Sequence, residues 1–196
     1  MRKGERTRQH LVETAARVLN QHGYAGSGLS EVMQETGLAK GGIYRHFGSK
    51  EELAVEAFNY AFEQILNLRF SDLDAKSNAV DKLVKYVEGY AAVESPLPGG
   101  CPILNTGIEN DDGNPALFQC ARKAFDTVVK RLTKIIRDGQ IKREARPDIV
   151  PGELALFIYS SLEGGIFASR LQGSRQRLKI VARFLRDYLE TEVRCR

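Results

Sequence analysis

Apolar residues recur along this chain at intervals of three and four, with polar residues filling the gaps. That spacing puts the apolar side chains on one face of a helix. Leu11, Ala15, Val18 and Leu19 form the first such face, and Gly23 ends it. Leu29, Val32 and Met33 mark a short second helix that stops at Gly37, with Ser27 or Gly28 as its N-cap and Glu31 in its first turn. A third short helix is expected from Lys40 to Phe47. Ser49 then caps a long fourth helix, with Glu51 and Glu52 placed where the helix dipole favours anions. Its apolar stripe runs from Leu53 through Ala57, Phe58, Ala61 and Phe62 to Leu66.

The same pattern continues to the end of the chain. Helices are expected over 77–94, from Pro102 to near 111–115, and over 116–139, 153–172 and 174–192. Ser95-Pro96-Leu97-Pro98-Gly99-Gly100 breaks the first of these, and a polar stretch from Gly139 to Gly152 reads as a loop. No segment alternates in the manner of a strand, and no internal repeat is visible. The expected fold is all-α with about nine helices: a three-helix N-terminal helix-turn-helix domain over 1–48 and a larger helical domain over 49–196, with helix 50–70 connecting them.

Charge distribution sharpens this division. Of 196 residues, 42% are hydrophobic, which is ample for a core, and the net charge is +4. Residues 1–50 hold eight Lys/Arg against four Asp/Glu, leaving 21 of each for the remainder. The whole basic excess therefore lies in the first quarter, as expected for a segment that meets an anionic polymer. The three cysteines, Cys101, Cys120 and Cys195, have neither disulfide-framework nor metal-ligand spacing. The N-terminus is polar and no apolar run reaches membrane-helix length, so the expected location is cytoplasmic, without membrane contact.

Short helices with a glycine-containing turn between the second and third make a helix-turn-helix pattern. On a wheel of the third helix, Ile43 and Phe47 face the core, and Leu38 can reach it from the turn. Gly41, Gly42 and Arg45 face outward, flanked by Tyr44 and His46. Two glycines in a short helix cost about 1 kcal/mol each relative to alanine, so the bare surface they leave should serve a purpose. Arg45 has the planar fork that suits a guanine edge, and Lys40 adds a mobile cation. Tyr44 and His46 carry donors placed for phosphates, and Lys50 sits at the start of the fourth helix. The expected partner is double-stranded DNA.

These residues resemble the DNA-binding domain of the TetR/AcrR family of bacterial transcription regulators. The matching text is Ala15-Ala16, Gly23-Tyr24, Leu29-Ser30-Glu31-Val32, Thr36-Gly37-Leu38, Lys40 through Phe47, and Ser49 through Leu53. The resemblance implies a homodimer, a palindromic operator and a C-terminal pocket for a small-molecule effector. Carried over by position, Ser27, Tyr44, His46 and Lys50 would contact phosphates, while Lys40, Gly41, Gly42 and Arg45 would face bases. Ala39 and Gly42 stand where members often carry hydroxyls, which leaves helix three without a good side-chain cap. Regulation is expected to be repression, relieved by the effector.

The last two helices carry the candidate dimer interface: Phe157, Ser161, Leu162 and Gly165, with Leu178, Val181 and Leu185. Packing within one subunit is the competing reading of the same stripes. Phe58, Phe62, Tyr86, Tyr90, Phe118 and Phe125 are candidates to line an effector pocket. Cys101 precedes Pro102 at a helix start, where backbone N–H groups favour thiolate. Some relatives with a similar Gly-Cys sense electrophiles or oxidants there; the alternative is a small buried hydrophobe. Asp111 and Asp112 read as a turn rather than metal ligands, and no metal or cofactor is expected. The chain contains no nucleophile elbow, phosphate-binding loop or His-Glu-x-x-His, and its histidines are scattered, so an enzyme is not expected. A non-catalytic helical adaptor is the competing functional class.

Overall fold

The computed structural model describes residues 2–26 and 29–195. Among them are nine α-helices: α1 (Lys3–His22), α2 (Leu29–Thr36), α3 (Lys40–Tyr44), α4 (Lys50–Phe70), α5 (Ala79–Ala92), α6 (Pro102–Glu109), α7 (Pro115–Ile141), α8 (Pro151–Leu171) and α9 (Gln176–Tyr188). A single 3-10 turn (Leu73–Ala75) precedes α5, and a π turn (Leu189–Val193) follows α9. Among the described residues, the one β feature is an isolated antiparallel bridge between Ala145 and Arg194. The N-cap expected at Ser27 or Gly28 lies outside the described residues.

The chain divides into two compact units, one of residues 1–65 with 95–124 and the other of 66–94 with 125–196. Residues 1–48 lie wholly within the first of these units. In the first unit, Leu11, Ala15 and Val18 of α1 pack with Val32, Ile43, Phe47, Leu53, Ala57 and Leu97. Residues 95–110 belong here because polar side chains tie them to α1. The Asn20 amide donates to the carbonyls of Pro98 (2.6 Å) and Gly100 (3.2 Å). The Asn105 amide donates to Asn20 O (3.1 Å), Asn20 Oδ1 (3.2 Å) and Gly99 O (2.8 Å). Gly99 has φ +97°, and a Cβ there would overlap the Asn20 carbonyl.

The second unit is built from α5, α8, α9 and the parts of α4 and α7 that fall within it. Asn78 caps α5 through the N–H groups of Val80 (2.8 Å) and Asp81 (3.3 Å). Leu83, Tyr86, Leu132, Ile136, Ile158, Tyr159, Leu162 and Leu189 are its largest fully buried side chains. Helix α7 runs through Gly139, where a loop was expected. A Cβ at Gly139 would lie 2.6 Å from that of Ala79, so the helix keeps its glycine to let α5 approach.

Helix α3 departs most from expectation. It ends at Tyr44, and Arg45 and His46 form a turn. The N–H groups of His46 (2.9 Å) and Phe47 (3.2 Å) both donate to the Ile43 carbonyl, which tightens and closes the last turn. Ala39, at the N-cap, makes no side-chain cap bond. With two glycines inside and no cap, the helix reaches only five residues.

Candidate nucleic-acid interface

Ile43 and Phe47 fix the third helix: each is 1% exposed, anchored among side chains of α1 and α4. The Arg8 guanidinium covers the Phe47 ring at 4.7 Å and pairs with Glu56 of α4. Arg17 of α1 pairs with Glu35 of α2 at 2.9 Å. The short helices are thus pinned on the inner side by apolar contacts and at the rim by ion pairs.

The outer side is open. Lys40, Gly41, Tyr44 and Arg45 are exposed, and Gly42 and His46 are half-buried. The Lys40 ammonium stands 5.9 Å from the Tyr44 ring. A Cβ at Gly41 would meet nothing within 4 Å, and one at Gly42 would meet only Leu38 at ordinary contact distances of 3.6 and 3.7 Å. Neither glycine has a left-handed φ. Intramolecular packing and backbone conformation therefore give no reason for either glycine.

Lys50 is placed differently from a simple surface cation. Its Nζ donates to the Tyr24 carbonyl at 2.6 Å and lies 4.3 Å from the Tyr24 ring. Burial pushes the Tyr24 phenol up, and the Glu51 carboxylate adds to the effect. Ser49 Oγ accepts the Glu52 N–H at 3.0 Å, the expected cap of α4. Ser27 lies outside the described residues.

The remaining candidates scatter. Phe58, Phe62 and Phe118 belong to the first unit, and Tyr86, Tyr90 and Phe125 to the second. Phe58 and Phe62 stack at 6.5 Å, and Phe58 lines a small pocket with Leu19, Asn20, Tyr24, Thr106 and Glu109. Tyr86 and Tyr90 are buried with their hydroxyls 3.3 Å apart, and Phe125 meets Tyr159 at 5.3 Å. The six aromatics do not gather around that pocket: apart from Phe58, they contribute nothing to its lining. Cys101 is the N-cap of α6, is buried and forms no disulfide. Asp111 accepts the Asp112 N–H at 2.9 Å within a turn.

Of the interface candidates, Leu162, Gly165, Leu178 and Leu185 are buried inside the chain. Gly165 lets α9 close in: a Cβ there would lie 3.0–3.3 Å from Leu178 and Val181. Their surface is spent joining α8 to α9 and is not offered outward. Ser161 and Val181 are half-buried, and Phe157 is exposed, with its ring 5.8 Å from that of Tyr188. The large side chains presented outward by this pair are Leu156, Phe157, Phe167, Leu171, Phe184 and Tyr188. Only Phe157 of these six was a candidate from the sequence, although Phe157, Ser161, Gly164, Phe167 and Leu171 follow a three-four spacing.

A helix α1 followed by the two short helices α2 and α3, with an open basic face and a packed inner side, places the chain among helix-turn-helix DNA-binding proteins by class. Residues 11–57 match the family model of bacterial regulatory proteins of the tetR family, and residues 79–185 match the tetracyclin repressor-like C-terminal domain. The chain belongs to the TetR family of transcriptional regulators, which are not enzymes. It is 31% identical to the HTH-type transcriptional repressor DhaR of Mycobacterium sp. (strain GP1), over 87% of this chain and 86% of that protein. A TetR transcriptional regulator from Chloroflexus aurantiacus J-10-FL shares its fold with a TM-score of 0.95 and 38% identity, covering 100% of both chains. Another from Cytophaga hutchinsonii gives 0.92 and 32%, covering 100% of this chain and 98% of that one. Among the described residues, no helix is long and apolar enough to cross a membrane, and no three His, Cys, Asp or Glu residues cluster as metal ligands.

Proposed function

We propose that this regulator is a cytoplasmic homodimeric repressor that reads a palindromic operator through residues 1–48 and answers to an effector through residues 49–196. The observation that carries the reading is the pair of glycines on α3. They weaken the helix, no internal contact requires them, and Gly41 is exposed and Gly42 half-open on the side that carries Arg45. A helix bared in this way can bring its backbone close to a groove floor. Arg45 then meets a guanine edge, and Lys40 reaches bases or phosphates at the near end. Tyr44, His46 and Ser27 serve the phosphates. Lys50 joins them with the ammonium hydrogens not given to Tyr24.

Dimerisation is assigned to the exposed apolar face of α8 and α9, where Phe157, Phe167, Leu171, Phe184 and Tyr188 would be covered by the same face of a second copy. A two-fold dimer presents two reading helices to half-sites about 34–36 Å apart or somewhat more. Repression follows from occupying promoter DNA, and the relative DhaR is named a repressor. Release requires an effector, a small molecule or a thiol-reactive compound, that favours a dimer whose reading helices no longer match the half-sites.

The test is to incubate the purified chain with sheared genomic DNA at two salt concentrations and sequence what it retains. A shared palindrome that survives the higher salt supports the reading. Retention without a common sequence, lost steeply with salt, would mean that only phosphates are bound. No retention would favour a protein-binding adaptor.

A further inference from the structure

The segment that leaves α1 is gripped on both of its polar edges. Gly23 closes α1 with φ +81°, and the peptide N–H groups that follow, at Tyr24 and Ala25, lie outside any helix. Both donate to one carboxylate, Tyr24 to Glu109 Oε2 and Ala25 to Glu109 Oε1, each at 2.8 Å. Glu109 is the last residue of α6, more than 80 positions further along the chain. On the opposite edge, the Tyr24 carbonyl accepts from Lys50 at 2.6 Å. Gly23 is shaped for this grip: a Cβ there would lie 2.6 Å from Glu109 Oε1.

What the segment leads to makes the grip consequential. Helix α2 begins at Leu29, has eight residues, and fully buries Val32 alone. A helix that short does not sustain itself, so its placement depends on what holds its ends. A carboxylate accepting two N–H groups is a charge-assisted, two-point contact that fixes orientation as well as distance.

We propose that Glu109 is a positioning residue for operator binding: through Tyr24 and Ala25 it holds the entrance to α2 so that Lys40 and Arg45 face a groove, without meeting DNA itself. The proposal rests on the DNA-reading function above.

The test uses the full chain and a duplex carrying the sequence that the wild type retains. In Glu109→Gln, one carbonyl oxygen remains, and an amide NH2 replaces the second acceptor. Operator binding should weaken roughly three- to tenfold, as the competent arrangement becomes less populated. The salt slope should stay at its wild-type value because no phosphate contact is lost. The melting midpoint should also hold, and the Tyr24 and Ala25 amides should exchange faster. Unchanged operator affinity with faster exchange at those amides would overturn the proposal. So would an affinity loss that merely follows a fall in the melting midpoint. Should the amide variant fail to fold, Glu109→Asp, whose charge is kept but whose reach is a methylene shorter, carries the same expectations. Wild-type protein that retains no common sequence refutes the operator reading itself, independently of either variant.

Discussion

Replacing Asn20 tests how firmly residues 98–105 are tied to α1. The side chain is 8% exposed, and its amide serves the carbonyls of Pro98 and Gly100 while its oxygen accepts from Asn105. Alanine deprives two carbonyls of their donor and Asn105 of one of its acceptors. A buried group left without a partner costs about 1–3 kcal/mol. Pro98 is exposed, so its carbonyl regains water, and the lower end of that range applies to it. The expected loss is about 2–3 kcal/mol, or roughly 5–10 °C in melting midpoint for a chain of this size. Asn20→Asp has nearly the same shape but turns an acceptor toward both carbonyls, so it should be worse than alanine. Urea unfolding followed by circular dichroism measures both variants against the wild type. An Asn20→Asp protein as stable as wild type, or an alanine variant losing less than about 0.5 kcal/mol, would show that these bonds do not hold the segment.

Three further outcomes are expected. Gly41→Ala should raise the melting midpoint, gaining up to about 1 kcal/mol because the new Cβ meets nothing, yet weaken binding to operator DNA in gel shift; equal binding would remove any role for the bare backbone. Phe184→Glu, at a side chain 66% exposed, should leave circular dichroism unchanged and convert the proposed dimer to monomer in sedimentation; a dimer that persists in the variant would move the proposed interface elsewhere. Thiol labelling followed by peptide mass spectrometry should find half-buried Cys195 modified in the native protein and Cys101, 6% exposed, modified only in urea. Rapid labelling of native Cys101 would instead favour its role as an electrophile sensor.

The reading domain was legible because its information is local. Ile43 and Phe47 are four apart, and Gly37 and Ser49 mark the neighbouring boundaries. The length of α3 was not, since its closure depends on two N–H groups converging on one carbonyl. Which face of α8 points outward was not legible for a different reason. Helix α8 is apolar on two sides, with Leu154, Ile158 and Leu162 inward and Phe157, Phe167 and Leu171 outward. Periodicity marks both stripes equally and does not say which one another chain covers. Glu109, Asn20 and Asn105 carried no pattern at all, because their contacts join positions about 80 apart or more. Gly23 and Gly99 were the only local trace of them, each required where another group comes too close for a side chain.

The brevity of α3 bears on how this protein would look to genetics. Its five residues stay in place because Ile43 and Phe47 are seated beneath them, and neither side chain is available to DNA. A screen for lost operator recognition would therefore return substitutions at Ile43 and Phe47 alongside those at Arg45, with the same phenotype. Sorting them requires a second selection for intact protein levels, in which the Arg45 alleles accumulate normally and the Ile43 and Phe47 alleles are cleared.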